Sequence, residues 1–188
     1  MDWHCHGCWR RARFGNQALI RVAVSFNPIQ VTLEAQHYAA IRARVRRVDI
    51  GAEVPGMYTE VYAWLAKHKI AVTGPALIRY LAIDPATDTM DIHVGFPIAA
   101  YTAVHERVEF SVQPAGTYVI AVHRGAYETL HKTTAMLLDW GATHGIRWQT
   151  AQNGSATQWE GRFEHYLIGP SNENNPRNWH TEIAILRR

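Results

Sequence analysis

The stretch "WLAKHKI" (residues 64–70) returns 76 positions later as "WGATHGI" (residues 140–146). Four positions are shared: Trp64 with Trp140, Ala66 with Ala142, His68 with His144, and Ile70 with Ile146. Ahead of the first copy, Tyr58, Val61, Tyr62 and Leu65 recur at i, i+3, i+4 and i+7, the spacing of an amphipathic helix. Pro55 suits an early turn of that helix. The second copy closes "GAYETLHKTTAMLLDWGATHGI" (125–146), a helix entered through Gly125 and left through Gly145, a favoured helix-stop residue. The shared motif therefore ends two helices in two halves of one chain.

The flanking segments repeat in the same order. "VTLEA" (31–35) and "YAAIRARVRRV" (38–48) read as strands before the first helix, and "PALIRYLAI" (75–83) and "MDIHVGFPI" (90–98) as strands after it. In the second half, "VEFSV" (108–112) and "TYVIAVHR" (117–124) precede the helix, and "GRFEHYLIGP" (161–170) and "WHTEIAILRR" (179–188) follow it. Tyr80–Leu81 match Tyr166–Leu167. A period of about 80 residues is too long for a solenoid unit and points instead to a duplicated β-β-α-β-β module. The predicted fold class is α+β: two pseudo-symmetric repeats, about 30–104 and 105–188, with antiparallel sheets and a helix each around a central cleft. Ligand pockets favour such an interface between halves.

The chain has 188 residues, 47% of them hydrophobic and 19% charged, which suits one globular domain with a sizeable core. Seven Trp and eight Tyr supply rings for a cavity wall as readily as for a core. Within the net charge of +3, Arg42, Arg44 and Arg46 alternate along one strand. They read as a solvated face, with phosphate binding as the alternative. No apolar run approaches the ~20 residues that span a bilayer, and the N-terminus lacks a signal-peptide core. With two cysteines and no export signal, a cytoplasmic location with reduced thiols is expected. His4, Cys5, His6 and Cys8 offer soft metal ligands, but no second cysteine pair exists to close a tetrahedral site. Residues 1–29 are therefore expected to be a poorly ordered extension, with neither metal nor cofactor. No G-x-S-x-G or glycine-rich phosphate loop occurs.

The run "PAGTYVIAVHRGAYETL" (114–130) resembles the GyrI-like (SOUL/AraC-type) effector-binding family, in which an aromatic-bearing strand turns into the long helix of the second repeat. The ending fits as well: Glu164, Tyr166, Leu167 and Pro170 follow an E-x-Y-L-x-x-P pattern, and Trp179, Thr181, Glu182, Ile183 and Ile185 follow W-x-T-E-I-x-I. The resemblance covers about residues 30–188 and implies two β-β-α-β-β repeats around an aromatic-walled cleft. It implies binding of small hydrophobic, aromatic or cationic compounds. The resemblance is to stand-alone members, so no direct DNA binding is expected, and no membrane partner. Some stand-alone members are held to hydrolyse reactive electrophiles, which gives an enzymatic alternative.

Alternation along "RFEHYLI" puts Glu164 and Tyr166 on one strand face. The resemblance implies that this face is the pocket, with Glu164 its central acid. A carboxylate among aromatic rings is costly unless it is hydrogen-bonded or paired. It would serve as a counter-ion to a ligand cation, or, with its proton affinity raised by burial, as a general acid or base beside Tyr166. Glu164 and Tyr166 are thus the candidate catalytic pair if the protein is an enzyme. The candidate ligand-binding set is Glu164, Tyr166, Tyr118, Trp140, Tyr62 and Trp179. For Tyr118 ordinary core packing is an equally open reading, and for Trp140 it is the leading one. Glu182 faces away from Trp179 and is either a second polar pocket group or an exposed strand residue.

Overall fold

Strands and helices follow one another in the order the repeat predicts, with one addition. The computed structural model describes residues 26–100 and 107–188, so the cysteine–histidine cluster at residues 4–8 lies outside the described residues. The first repeat supplies β1 (Ile29–Leu33), β2 (Gln36–Arg46), α1 (Ile50–Lys67), β3 (Leu77–Asp84) and β4 (Thr89–Pro97). The second supplies β5 (Glu109–Gln113), β6 (Gly116–Arg124), α2 (Leu130–Thr143), β9 (Arg162–Ile168) and β10 (His180–Leu186). The addition is a hairpin, β7 (Thr150–Asn153) and β8 (Ala156–Trp159), turned at Gly154 with φ +60°. Its strands are short and mostly polar, so hydrophobic alternation does not announce it; the Asn-Gly dipeptide is the available signal. Helix α1 starts at Ile50 and takes Pro55 inside it at the cost of one backbone bond.

All strands join one curled antiparallel sheet rather than two. The order is β1-β6-β10-β9-β3-β4-β2-β5, with β8 added on β3 and β7 on β8. Exchanging each strand for its equivalent in the other repeat (β1 for β5, β2 for β6, β3 for β9, β4 for β10) reverses this order onto itself. A pseudo-two-fold axis therefore runs between β3 and β9, where Leu77 pairs with His165, Ile78 with Glu164 and Arg79 with Phe163. Each repeat also hands its first strand to the other: β1 pairs with β6, and β5 with β2. The halves are thus interlocked parts of one α+β fold.

Both helices pack on the same face of the sheet. Val54, Val61, Trp64 and Leu65 of α1 meet Ile41, Ile78 and Ile92, while Leu130 and Leu137 of α2 meet Val119, Ile183 and Ile185. The other face carries its own core, in which Tyr38, Tyr118 and Phe163 are fully buried. Full burial of such side chains stabilises by about 1.5–3 kcal/mol each, so neither face of the central strands is free.

The recurring motif has one structural job in both places. His68 stacks on Trp64 and His144 on Trp140, each at 4.1 Å between ring centroids. Each imidazole Nδ1 also lies 2.8 Å from the carbonyl of the same tryptophan, which already accepts the histidine's own backbone N–H. The arginine row of β2 is a solvated face: Arg42 pairs with Asp91, Arg46 with Asp49, and Arg44 donates to Thr89. No helix among the described residues is long and apolar enough to cross a membrane.

Candidate functional site

Between α1 and α2, over β3 and β9, lies a cavity of about 1180 Å³. Its walls follow the pseudo-symmetry. Val54, Tyr58 and Tyr62 line it from successive turns of α1, and Leu130, Thr134 and Leu138 line it from the equivalent turns of α2. Spacing of four residues puts each trio on one helix face. The floor comes from alternate residues of the central strands: Ile78 and Tyr80 of β3, and Arg162, Glu164 and Tyr166 of β9.

Glu164 is the polar centre of this floor and is only 6% exposed. Tyr80 Oη donates to its Oε2 at 3.0 Å, and Tyr166 Oη donates to the same atom at 2.9 Å. These two tyrosines are equivalents in the two repeats. Among the described residues no donor reaches the other oxygen, Oε1. Burial raises the carboxyl above its ordinary range, against the hydrogen bonds from Tyr166 and Tyr80 and the charge of Arg162, which lower it. Burial first, and then the Glu164 charge, pushes the Tyr58, Tyr80 and Tyr166 hydroxyls well up, so these phenols remain donors at neutral pH.

Aromatic rings complete the enclosure. Tyr166 sits edge-on to Tyr58 at 6.2 Å and to Tyr127 at 5.3 Å, and Tyr58 is edge-on to Phe96 at 5.6 Å. The Tyr58 hydroxyl is buried with no hydrogen-bond partner among the described residues. Arg162 lies over the rings of Tyr80 and Trp159, at 5.2 and 4.7 Å. Such a site can enclose an aromatic body, accept or donate a proton at Glu164, and offer face-on π contacts to a cation.

The residues singled out in sequence divide between the cavity and its surroundings. Glu164 and Tyr166 line the floor together, and Tyr62 lines the cavity at its exposed end. Trp179 stands behind the wall, its ring tilted against that of Tyr127 at 4.6 Å, with its Nε1 donating to the Glu173 carbonyl. Tyr118 and Trp140 lie elsewhere. Tyr118 is fully buried on the opposite sheet face, its hydroxyl donating to the Pro114 carbonyl at 2.9 Å. Trp140 packs with the core beneath α2 and against His144. Glu182 is half-buried and lies 3.2 Å from His165 on the far face from the cavity. Tyr58, Tyr80, Tyr127 and Arg162 are lining residues that sequence reading passed over; for Tyr80, its equivalence to Tyr166 was the available signal. Among the described residues no cluster of three or more His, Cys, Asp or Glu side chains could hold a metal.

Comparisons with known proteins agree on the fold. A family profile described as GyrI-like small molecule binding domain matches residues 26–186. The EcmrR C-terminal domain is similar in structure, with TM-score 0.69 and 18% identity over 87% of this chain and 98% of that one. Against EcmrR in its complex with DNA, the chain spans 57% of that protein's length. SAV2435, solved bound to tetraphenylphosphonium, aligns with TM-score 0.55 and 11% identity over 86% of this chain and 94% of that one. A hydrolase from Listeria innocua aligns with TM-score 0.57 and 14% identity over 89% of this chain and 94% of that one. A comparison with curated proteins finds no match.

Proposed function

The chain belongs to the GyrI-like small-molecule-binding domain family, and from that premise we propose that it takes up small aromatic or cationic compounds in the cavity between its helices, with Glu164 as anchor. The observation that carries this reading is the Glu164 carboxyl, buried among aromatic rings with two tyrosines on one oxygen and the other oxygen open. An anion built into an apolar enclosure is expensive unless something occupies the remaining acceptor. A ligand cation repays it, and each aromatic face adds about 0.5–2 kcal/mol of cation–π attraction. SAV2435, which shares the fold, was solved with the lipophilic cation tetraphenylphosphonium, and this supports the choice of probe. Calorimetric titration of wild type and Glu164→Gln with tetraphenylphosphonium and with neutral triphenylphosphine oxide tests the reading. The variant is expected to lose about tenfold or more in affinity for the cation, while the neutral compound changes little. Equal binding of the cation by both proteins defeats the proposal.

The open Oε1 also supports a second reading, hydrolysis of a reactive small electrophile. A carboxyl with raised proton affinity can take a proton from an attacking water, while Tyr166 donates to the charge that develops. On that reading Glu164→Gln keeps ligand binding and loses turnover.

A further inference from the structure

Arg162 is a charge that an aromatic cation would leave unused. It projects from β9 on the same face as Glu164 and Tyr166 and lines the cavity. Its guanidinium is held only by ring faces, those of Tyr80 and Trp159. Among the described residues no oxygen accepts a hydrogen bond from it, and it forms no ion pair with Glu164, although each charge acts on the other through space. Unlike the Nε of Arg79, none of its nitrogens is among the fully buried, unpartnered side-chain atoms of the described residues.

Arg79, one strand away on the opposite face, shows what a structural arginine does in this fold. Its Nη1 donates to Tyr38 Oη, Ser111 Oγ and the Val112 carbonyl, and its Nη2 donates to the Glu160 carbonyl. Arg162 makes no comparable contact. Nor does the duplication require it, because the equivalent position of the first repeat is Ala76, which also lines the cavity. A guanidinium facing a low-dielectric cavity with all its donors open is costly. The group that satisfies it best is a planar anion able to accept two parallel N–H bonds.

The cavity therefore presents both signs of charge, side by side on one strand and two residues apart. We propose that its ligand is amphoteric: an aromatic compound whose cationic or donor group meets Glu164 and whose carboxylate or similar anion meets Arg162. This rests on the small-molecule reading of the same cavity and names the ligand's chemistry. It also bears on selectivity, because Arg162 favours a compound that carries an anion beside its cation over one that carries positive charge alone.

Two dyes that differ at one group provide the test. Rhodamine B joins an aromatic cation to a free carboxylate, and its ethyl ester has the same ring system with the carboxylate capped. By fluorescence anisotropy, wild type is expected to bind rhodamine B about tenfold or more tighter than the ester. Arg162→Gln should abolish that preference without weakening the ester, and Arg162→Lys should retain part of it, with melting curves confirming that both variants fold. Equal affinity of wild type for the two dyes, or a preference that survives Arg162→Gln, overturns the inference and leaves the cavity reading intact. If tetraphenylphosphonium binds and neither dye does, the amphoteric inference falls alone. If none of the three binds, the underlying reading falls with it.

Discussion

Ile78 and Glu164 face each other across the central strand pair, and they are also each other's equivalents in the two repeats. Both statements hold together only on the pseudo-two-fold axis. A symmetric sequence with glutamate at both positions would set two carboxylates directly opposite, with Cβ atoms about 4.5–5.5 Å apart. Like charges at that distance in a buried site cannot both ionise. Only one charged carboxylate can stand on the axis, and this chain places the acid in one copy. Tyrosine is under no such limit, and both copies keep theirs. From Tyr80 and Tyr166 the two hydroxyls converge on the single Oε2 at the axis.

That convergence tempers the acid–base behaviour that burial sets. Glu164 has its folded proton affinity raised by burial, so its contribution to stability is complete below the unfolded carboxyl's range, about pH 4.3, and is lost as pH rises through the folded value. The tyrosine hydrogen bonds limit the loss. Tyr80→Phe and Tyr166→Phe should each raise the carboxyl further and cost about 1.5–3 kcal/mol at neutral pH, with much less cost in acid. Chemical denaturation across that pH range measures this, with Glu164→Gln as the variant that lacks the dependence. Phenylalanine variants as stable as wild type at neutral pH would show that the hydroxyls do not hold a charged carboxylate.

Much of this architecture is legible in the residues themselves, and the remainder is missing for physical reasons. The helices announce themselves by their periodicity, and the shared face of Glu164 and Tyr166 follows from strand alternation. The exchange of β1 and β5 between repeats does not, because pairing between distant strands leaves no local trace. Tyr118 illustrates a second limit. Alternation tells which residues share a face, but here both faces of the sheet are buried, so an aromatic strand residue is as well placed in the core opposite the cavity. Arg162 illustrates a third: an arginine at the start of a strand reads as surface, although the alternation that groups Glu164 with Tyr166 also puts it on their face, over Tyr80 and in the cavity.

On the sheet face opposite the cavity, His93 is buried, with Nδ1 2.9 Å from the Tyr38 hydroxyl. Burial, reinforced by the charges of Arg79 and Arg42, lowers it from 6.5 to about 4. Glu109 stands 3.9 Å from its Nε2, close enough for an ion pair, but its side chain is 54% exposed and water screens it, so the neutral ring prevails. The depressed value means that stability is fully present above the unfolded value near 6.5 and is lost as pH falls toward about 4, by up to about 3 kcal/mol. His93→Gln keeps an acceptor for Tyr38 and cannot titrate. Urea unfolding at neutral pH and in mild acid should show that wild type loses more stability than the variant between the two conditions; parallel losses would mean that the ring protonates freely in place.

Gly141 in α2 stands where α1 has the buried Leu65, yet the space is not empty. A Cβ on Gly141 would run into the ring of Trp148, which packs against the core beneath α2 from beyond the helix end. The second repeat thus fills with an indole from outside the helix the volume that the first fills with leucine from within it. In an exposed helix, glycine to alanine gains up to about 1 kcal/mol from backbone entropy. Here the ring must move, and overpacking of this kind costs about 1–3 kcal/mol. Gly141→Ala is therefore expected to lower the melting temperature despite its better helix propensity. Adding Trp148→Leu to Gly141→Ala should cost less than Trp148→Leu alone, because the added methyl then occupies space the indole has vacated. A single alanine variant that melts above wild type would show that the indole is not held against the helix.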